Sequence, residues 1–206
     1  MRYLYFSVLI SFLFVGNSCI DHVIIPPPVP VVEFDCSFSA TIDGATYNLV
    51  EDVNGCYCES TKSKEINPSP QPSTATYNAI MKSDVQLDFI QVSLGKLNFN
   101  ADVEADPTLT QFETFFNSNA TPAFSEGAVA GIEIVFRDGA GNVWYSDPNS
   151  AASQSFVFTS LVQESDENGD YMKFQAEFSC TLYDDIANPT TSIVMENAVF
   201  KSYFAR

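Results

Sequence analysis

From residue 33 the chain alternates apolar and polar positions. Phe34, Cys36, Phe38, Ala40 and Ile42 hold one phase, and Asp35, Ser37, Ser39 and Thr41 the other. A period of two gives a strand one buried and one wet face. Asp43-Gly44 then supplies a two-residue turn of the kind that needs positive φ, followed by the run 45–50, so this stretch predicts a β-hairpin. Residues 51–75 break the pattern with Asn54-Gly55, the pair Cys56 and Cys58, and three prolines between Asn67 and Ser73. They read as a long loop that the cysteines pin to the sheet. Strands follow over 76–82 and 85–97. The second has Leu87, Phe89, Gln91 and Ser93 in one phase and Ile90, Val92 and Leu94 in the other, which predicts a bulge or a strand covered on both faces.

One stretch changes period. Asp106 stands as a cap with Pro107 at the first helical position, and Leu109, Phe112, Phe115 and Phe116 recur at three- and four-residue spacing. This predicts a short helix ending near Asn117, its phenylalanine stripe closing one end of a sandwich. Beyond it, 129–136 and 142–146 form a second hairpin around Asp138-Gly139-Ala140-Gly141-Asn142. A type I turn with a bulge, Gly141 taking the left-handed position, pairs Phe136 with Trp144 and turns the sole tryptophan inward. A third hairpin joins 154–163 to 171–183 through the turn 165–170, with Phe174, Ala176, Phe178, Cys180 and Leu182 inward. The last strand, 191–204, slips phase around Asn197-Ala198. The expected fold is all-β, an antiparallel β-sandwich (immunoglobulin-like or related) with one short helix. Composition agrees, because 18 Phe and 9 Tyr in 206 residues favour strands.

The amino terminus is a different kind of segment. Arg2 precedes an apolar run over 3–15, then Gly16-Asn17-Ser18-Cys19. The run is shorter than the roughly 20 apolar residues that span a bilayer, so 1–18 reads as a cleaved signal. Cys19 just past the cleavage point is read as the lipidated residue of a lipoprotein. Ordinary cleavage instead would leave a reactive terminal thiol. Residues 19–32, with four prolines, form an extended tether, and 33–206 form a single sandwich domain. Losing residues 1–18 removes Arg2 and no acid, which takes the formal charge from −17 to −18. Such a chain repels polyanions, so nucleic acid is not expected as a partner, and membrane contact is expected through the acyl chains.

Cys36, Cys56, Cys58 and Cys180 remain. An even count in an oxidising compartment predicts two disulfides, in any of three connectivities. The C-x-C spacing argues against a zinc site.

The strand and turn segments resemble a broad group of small, uncharacterised β-sandwich lipoproteins of Bacteroidota-type bacteria. The matching pieces are Cys19, Phe38-Ser39-Ala40-Thr41-Ile42-Asp43-Gly44, Gly131 to Asp138 with Val143-Trp144-Tyr145, Phe178 to Tyr183, and Glu196 to Phe200. The resemblance implies an immunoglobulin-like or related sandwich at the cell envelope and supplies no catalytic residues; the expected location is the outer membrane, lipid-anchored, on either its periplasmic or its cell-surface side. Some lipoproteins of such bacteria reach the cell surface through an acidic stretch after the cysteine, where this chain has Asp21 alone.

Candidate chemistry is narrow. The one histidine, His22, lies on the tether, which removes Ser-His-Asp, Cys-His and His-metal sites from the domain. Glu133, Glu177 and Glu196 are the carboxylates from which a glycosidase pair could be drawn, and each reads first as the wet position of a strand. Glu164, Asp166, Asn168 and Asp170 gather oxygen donors around Gly169. This is a weak calcium candidate beside the simpler reading of a hairpin turn. No cofactor is expected. The function expected is a non-catalytic binding or accessory module for a protein or a glycan, with a purely structural lipoprotein or a carboxylate glycosidase as alternatives.

Overall fold

The fold, a computed structural model, describes residues 31–126 and 130–206. The signal segment, Cys19, His22 and nearly all of the tether lie outside the described residues. Ten strands form one antiparallel sheet: β1 (Ser37–Ile42), β2 (Ala45–Val50), β3 (Cys56–Glu65), β4 (Ser73–Ser83), β5 (Phe89–Phe99), β6 (Gly131–Arg137), β7 (Val143–Ser146), β8 (Ser155–Asp166), β9 (Gly169–Tyr183) and β10 (Ser192–Ala205). Their order is β2-β1-β10-β9-β7-β6-β5-β4-β3, with β8 also pairing β9. The sheet folds over on itself without closing a ladder into a barrel. Two contacts tie its two halves together: the Ala205 amide donates to Ser60 Oγ of β3, and a disulfide joins Cys36, just before β1, to Cys58 of β3. The two halves of the sheet are the layers of an all-β, sandwich-like domain with one short helix, the class expected from the alternation.

Between the layers lies one aromatic core. Phe38, Tyr77, Phe136, Phe200 and Phe204 are fully buried in it. Helix α1 (Leu109–Ser118) closes one end, with Phe112 and Phe116 buried. Phe116 stacks on Phe204 at 4.8 Å and Phe112 meets Tyr77 edge-on at 5.1 Å. The stripe read from the sequence is thus core, as expected. Its start is not. Thr108 is the N-cap, in a reciprocal capping box with Gln111, whereas Asp106 is drawn away to pair with Lys62 and Lys64.

The first hairpin turns at Asp43 and Gly44, both at positive φ. Around the second, Phe136 pairs with Trp144, Asp138 and Asn142 bond across the turn, and Gly141 has φ +90°. The bulge expected in β10 falls between Met195 and Ala198, with Asn197 at φ +51°. The bulge expected in the fifth strand sits where Thr76 of β4 faces both Gly95 and Lys96.

Three readings need correction. Residues 51–75 are not one loop, because Cys56–Glu65 forms β3 along all of β4. Its sequence, CYCESTKSKE, carries charge where a central strand would carry alternating apolar residues. An edge strand tolerates this, and charge there protects the edge from pairing with other chains. The fifth strand begins at Phe89 rather than 85, leaving Val85 and Leu87 exposed on the preceding loop. The third turn tightens to Glu167 and Asn168, because Asp166 and Gly169 still pair.

Candidate functional site

The outer face of β8, β9 and β10 is built in rows. Inward positions of β9 (Phe174, Ala176, Phe178) go to the core, so the alternate positions must face out. Register then decides which of them meet. Ser160 of β8 pairs with Gln175 of β9, which pairs with Lys201 of β10. The next row is Val162, Lys173 and Tyr203. Cross-strand neighbours of this kind stand about 5 Å apart at Cβ. The amino-terminal segment crosses this face. The Val32 amide donates to Asp166 Oδ2 at 3.0 Å and its side chain is buried. Phe34 stacks on Tyr203 at 3.7 Å between centroids, and both rings meet Tyr171 edge-on. Cys36 follows, tied to β3.

Segment and rows together enclose a cleft of about 310 Å³, lined among others by Phe34, Asp35, Ser160, Gln175 and Lys201. A second depression of about 280 Å³ lies further along the same three strands, between Val157, Glu177 and Val199. Lys173 in the cleft is held by Glu164 at 3.2 Å. Lys201 is different. Of the eight described basic side chains, Lys62, Lys64, Lys82, Lys96, Lys173 and Arg206 form ion pairs. Arg137 donates to the Leu87 carbonyl and lies over Phe89. Lys201 alone has no such partner among the described residues.

The residues singled out in the sequence fall elsewhere. Cys19 lies outside the described residues. Of the four domain cysteines only one pair forms, Cys36–Cys58. Cys56 and Cys180 are free and buried, which corrects the expectation of two disulfides. Both sit in the apolar core, where a thiol packs as a small hydrophobe, and burial pushes the Cys180 thiol up to about 12. Together with Glu51 the bonded pair is the one described group close enough to hold a metal ion, and its sulfurs are already bonded to each other.

Glu133 of β6 faces Ser93, Glu177 of β9 faces Val199, and Glu196 of β10 faces Thr41. Glu177 and Glu196 are exposed, whereas Glu133 is half-buried. Burial, with a smaller push from Glu126, raises the Glu133 carboxyl above its ordinary value. Only Glu177 borders the depression described above, so the three do not face one cleft. At the third turn three of the carboxylates are engaged within the protein. Asp166 accepts from the amides of Val32, Asn168 and Gly169, and these bonds hold its carboxyl below the usual range. Asp170 takes Ser165 and Arg206, and Glu164 takes Lys173. The turn that ends the hairpin accounts for the calcium-like pattern.

Sequence reading passed over the cleft residues because nothing local marks them. Ser160, Gln175 and Lys201 are ordinary wet positions until register aligns them. The unpaired lysine in an acidic chain was the one available signal, and it needed the ion pairs to be visible. No protein-family model, curated protein or solved structure matches this chain. Among the described residues, no helix is long and apolar enough to cross a membrane.

Proposed function

We propose that the protein is a lipid-anchored, non-catalytic binding module of the cell envelope, held in the outer membrane through acyl chains on Cys19, and that its ligand is a glycan. The observation that carries this reading is the cleft beside the amino-terminal segment. An aromatic wall at Phe34 stands next to an amide, a hydroxyl and an ammonium in one row, a combination suited to an oxygen-rich ring with one apolar face. Glu164 is already engaged by Lys173, so the cleft lacks two free carboxylates flanking a bond. The Pro-rich tether enters the domain at this same edge, at Val32.

The test is a glycan array probed with the full-length protein in mild detergent, beside Ser160→Trp, which fills the cleft from an exposed strand position. Saturable binding that the variant loses supports the proposal. Binding equal in both, or none in either, overturns it.

A second reading has its own observation. Loops 51–55 and 84–88 bond side by side, through the Asp84 amide to the Gly55 carbonyl and Ser83 Oγ to the Asn54 carbonyl, and expose Val53, Val85 and Leu87. This tip would suit a protein partner. Co-purification from native envelopes that is lost in Val85→Asp and retained in Ser160→Trp would favour it over the glycan.

A further inference from the structure

We infer that the cleft takes a carboxylate-bearing sugar, with Lys201 as the anchor for its acidic group; this rests on the glycan reading above. The chain has 26 acids and 9 basic residues, so a lysine within reach of a carboxylate is the expected condition. The other seven described cations all have partners. Lys201 is left without one although Asp35 and Glu164 line the same cleft. Glu164 is spent on Lys173, and Asp35 is not within pairing distance. A half-buried lysine lining a concave site without a counter-charge lacks part of its electrostatic stabilisation. An incoming carboxylate supplies it.

The rest of the row fixes the class of ligand. Neither the Gln175 amide nor the Ser160 hydroxyl has a side-chain partner among the described residues; Gln175 neighbours Lys201 across the strands, and Ser160 stands beyond it in the same row. An amide donates and accepts, a hydroxyl does both, and Asp35 accepts only. Those are the complements of sugar hydroxyls. Phe34, fixed from behind by Tyr203 and Tyr171, offers a rigid apolar surface to the C–H face of the ring. The volume lies at the small end of ligand pockets, about 300–1,000 Å³, which suits a single ring, and the depression between Val157 and Val199 gives a chain somewhere to continue. The strongly negative net charge does not forbid an anion here. At physiological salt, charges beyond about 8 Å are largely screened, and of the two acids in the cleft Glu164 is neutralised by Lys173, leaving Asp35 alone beside Lys201.

The experiment titrates full-length protein in detergent by calorimetry with a glucuronate-terminated disaccharide and with its methyl ester, which keeps the ring and removes the charge. Wild type is expected to prefer the acid by tenfold or more. Lys201→Gln should abolish that preference and Lys201→Arg should keep it, all three melting at the same temperature. Ester and acid bound alike, with Lys201→Gln unchanged, would overturn the acidic ligand while leaving the glycan reading standing. No binding of either sugar by a protein that is positive on neutral glycans has the same meaning. Failure on the whole array would remove both. Inorganic phosphate or phosphatidylglycerol vesicles bound more tightly than the acid, and through Lys201, would overturn the sugar and point to a phosphate.

Discussion

The two faces of β10 make an instructive pair. On the inner face, Phe200 and Phe204 have no exposed surface and lock against Phe174, Phe116 and Phe158. On the outer face, one residue away, Lys201 borders a cleft with unpaired polar groups and Tyr203 backs its Phe34 wall. The same backbone serves both, because alternate residues of a strand point to opposite sides. Inner positions are fixed by how many atoms surround them, outer ones by which strand happens to lie alongside. Substitutions on the inner face should therefore be read in stability, and those on the outer face in binding.

The largest effect expected is that of Phe204→Ala. Removing a fully buried ring that touches Phe116, Phe158 and Phe174 should cost about 3–5 kcal/mol in urea unfolding. A loss within the roughly 0.5 kcal/mol typical of surface sites would break the comparison at its root. Next is Cys36→Ser, which opens the loop of 22 residues closed by the disulfide. Chain entropy puts the loss at about 3 kcal/mol. Because the bridge also anchors the segment bearing Phe34, hydrogen exchange should rise over residues 32–36 as well. Unfolding that is weakened with no change in exchange there would show that the cleft wall stands without the bridge.

Thr108→Ala should cost about 1 kcal/mol by removing the cap of α1, and Asp106→Ala should not reproduce that loss of helix, since Asp106 serves Lys62 and Lys64. Equal fraying of α1 in both variants, seen by exchange at its first turn, would restore Asp106 to the cap. The smallest effect concerns Glu133. Its carboxyl is raised in the folded protein, so the folded state binds more protons than the unfolded one through that window. Stability contributed there should be present at low pH and lost as pH rises from the ordinary carboxylate value through the folded one. Glu133→Gln should flatten that part of the stability–pH curve in denaturant titrations, and an unchanged curve would show that the group is better solvated than its burial implies.

Much of this architecture was legible without coordinates. Turn chemistry acts over a few residues, so Asp43-Gly44 and the Asp138 to Asn142 turn located two hairpins, and with the second came the pairing of Phe136 with Trp144. The phase slip at Asn197 is likewise local. What failed depended on distant partners. β3 hides behind charged residues because it needs only one neighbour, β4, and it sits at an edge. The cap of α1 was misplaced because Asp106 has a better use on Lys62 and Lys64, more than 40 residues away in sequence.

By itself, then, the sequence determined the class of the domain, three of its hairpins, its helix and much of its buried face, because period and turn propensity are properties of short stretches and water enforces them everywhere. Tertiary structure alone decided which cysteines bond, that Glu164, Asp166 and Asp170 are engaged internally, and that Ser160, Gln175 and Lys201 share a row. These depend on register between strands and on segments that meet only when the sheet folds over. A side chain's chemistry is written locally, but the company it keeps is set by the fold.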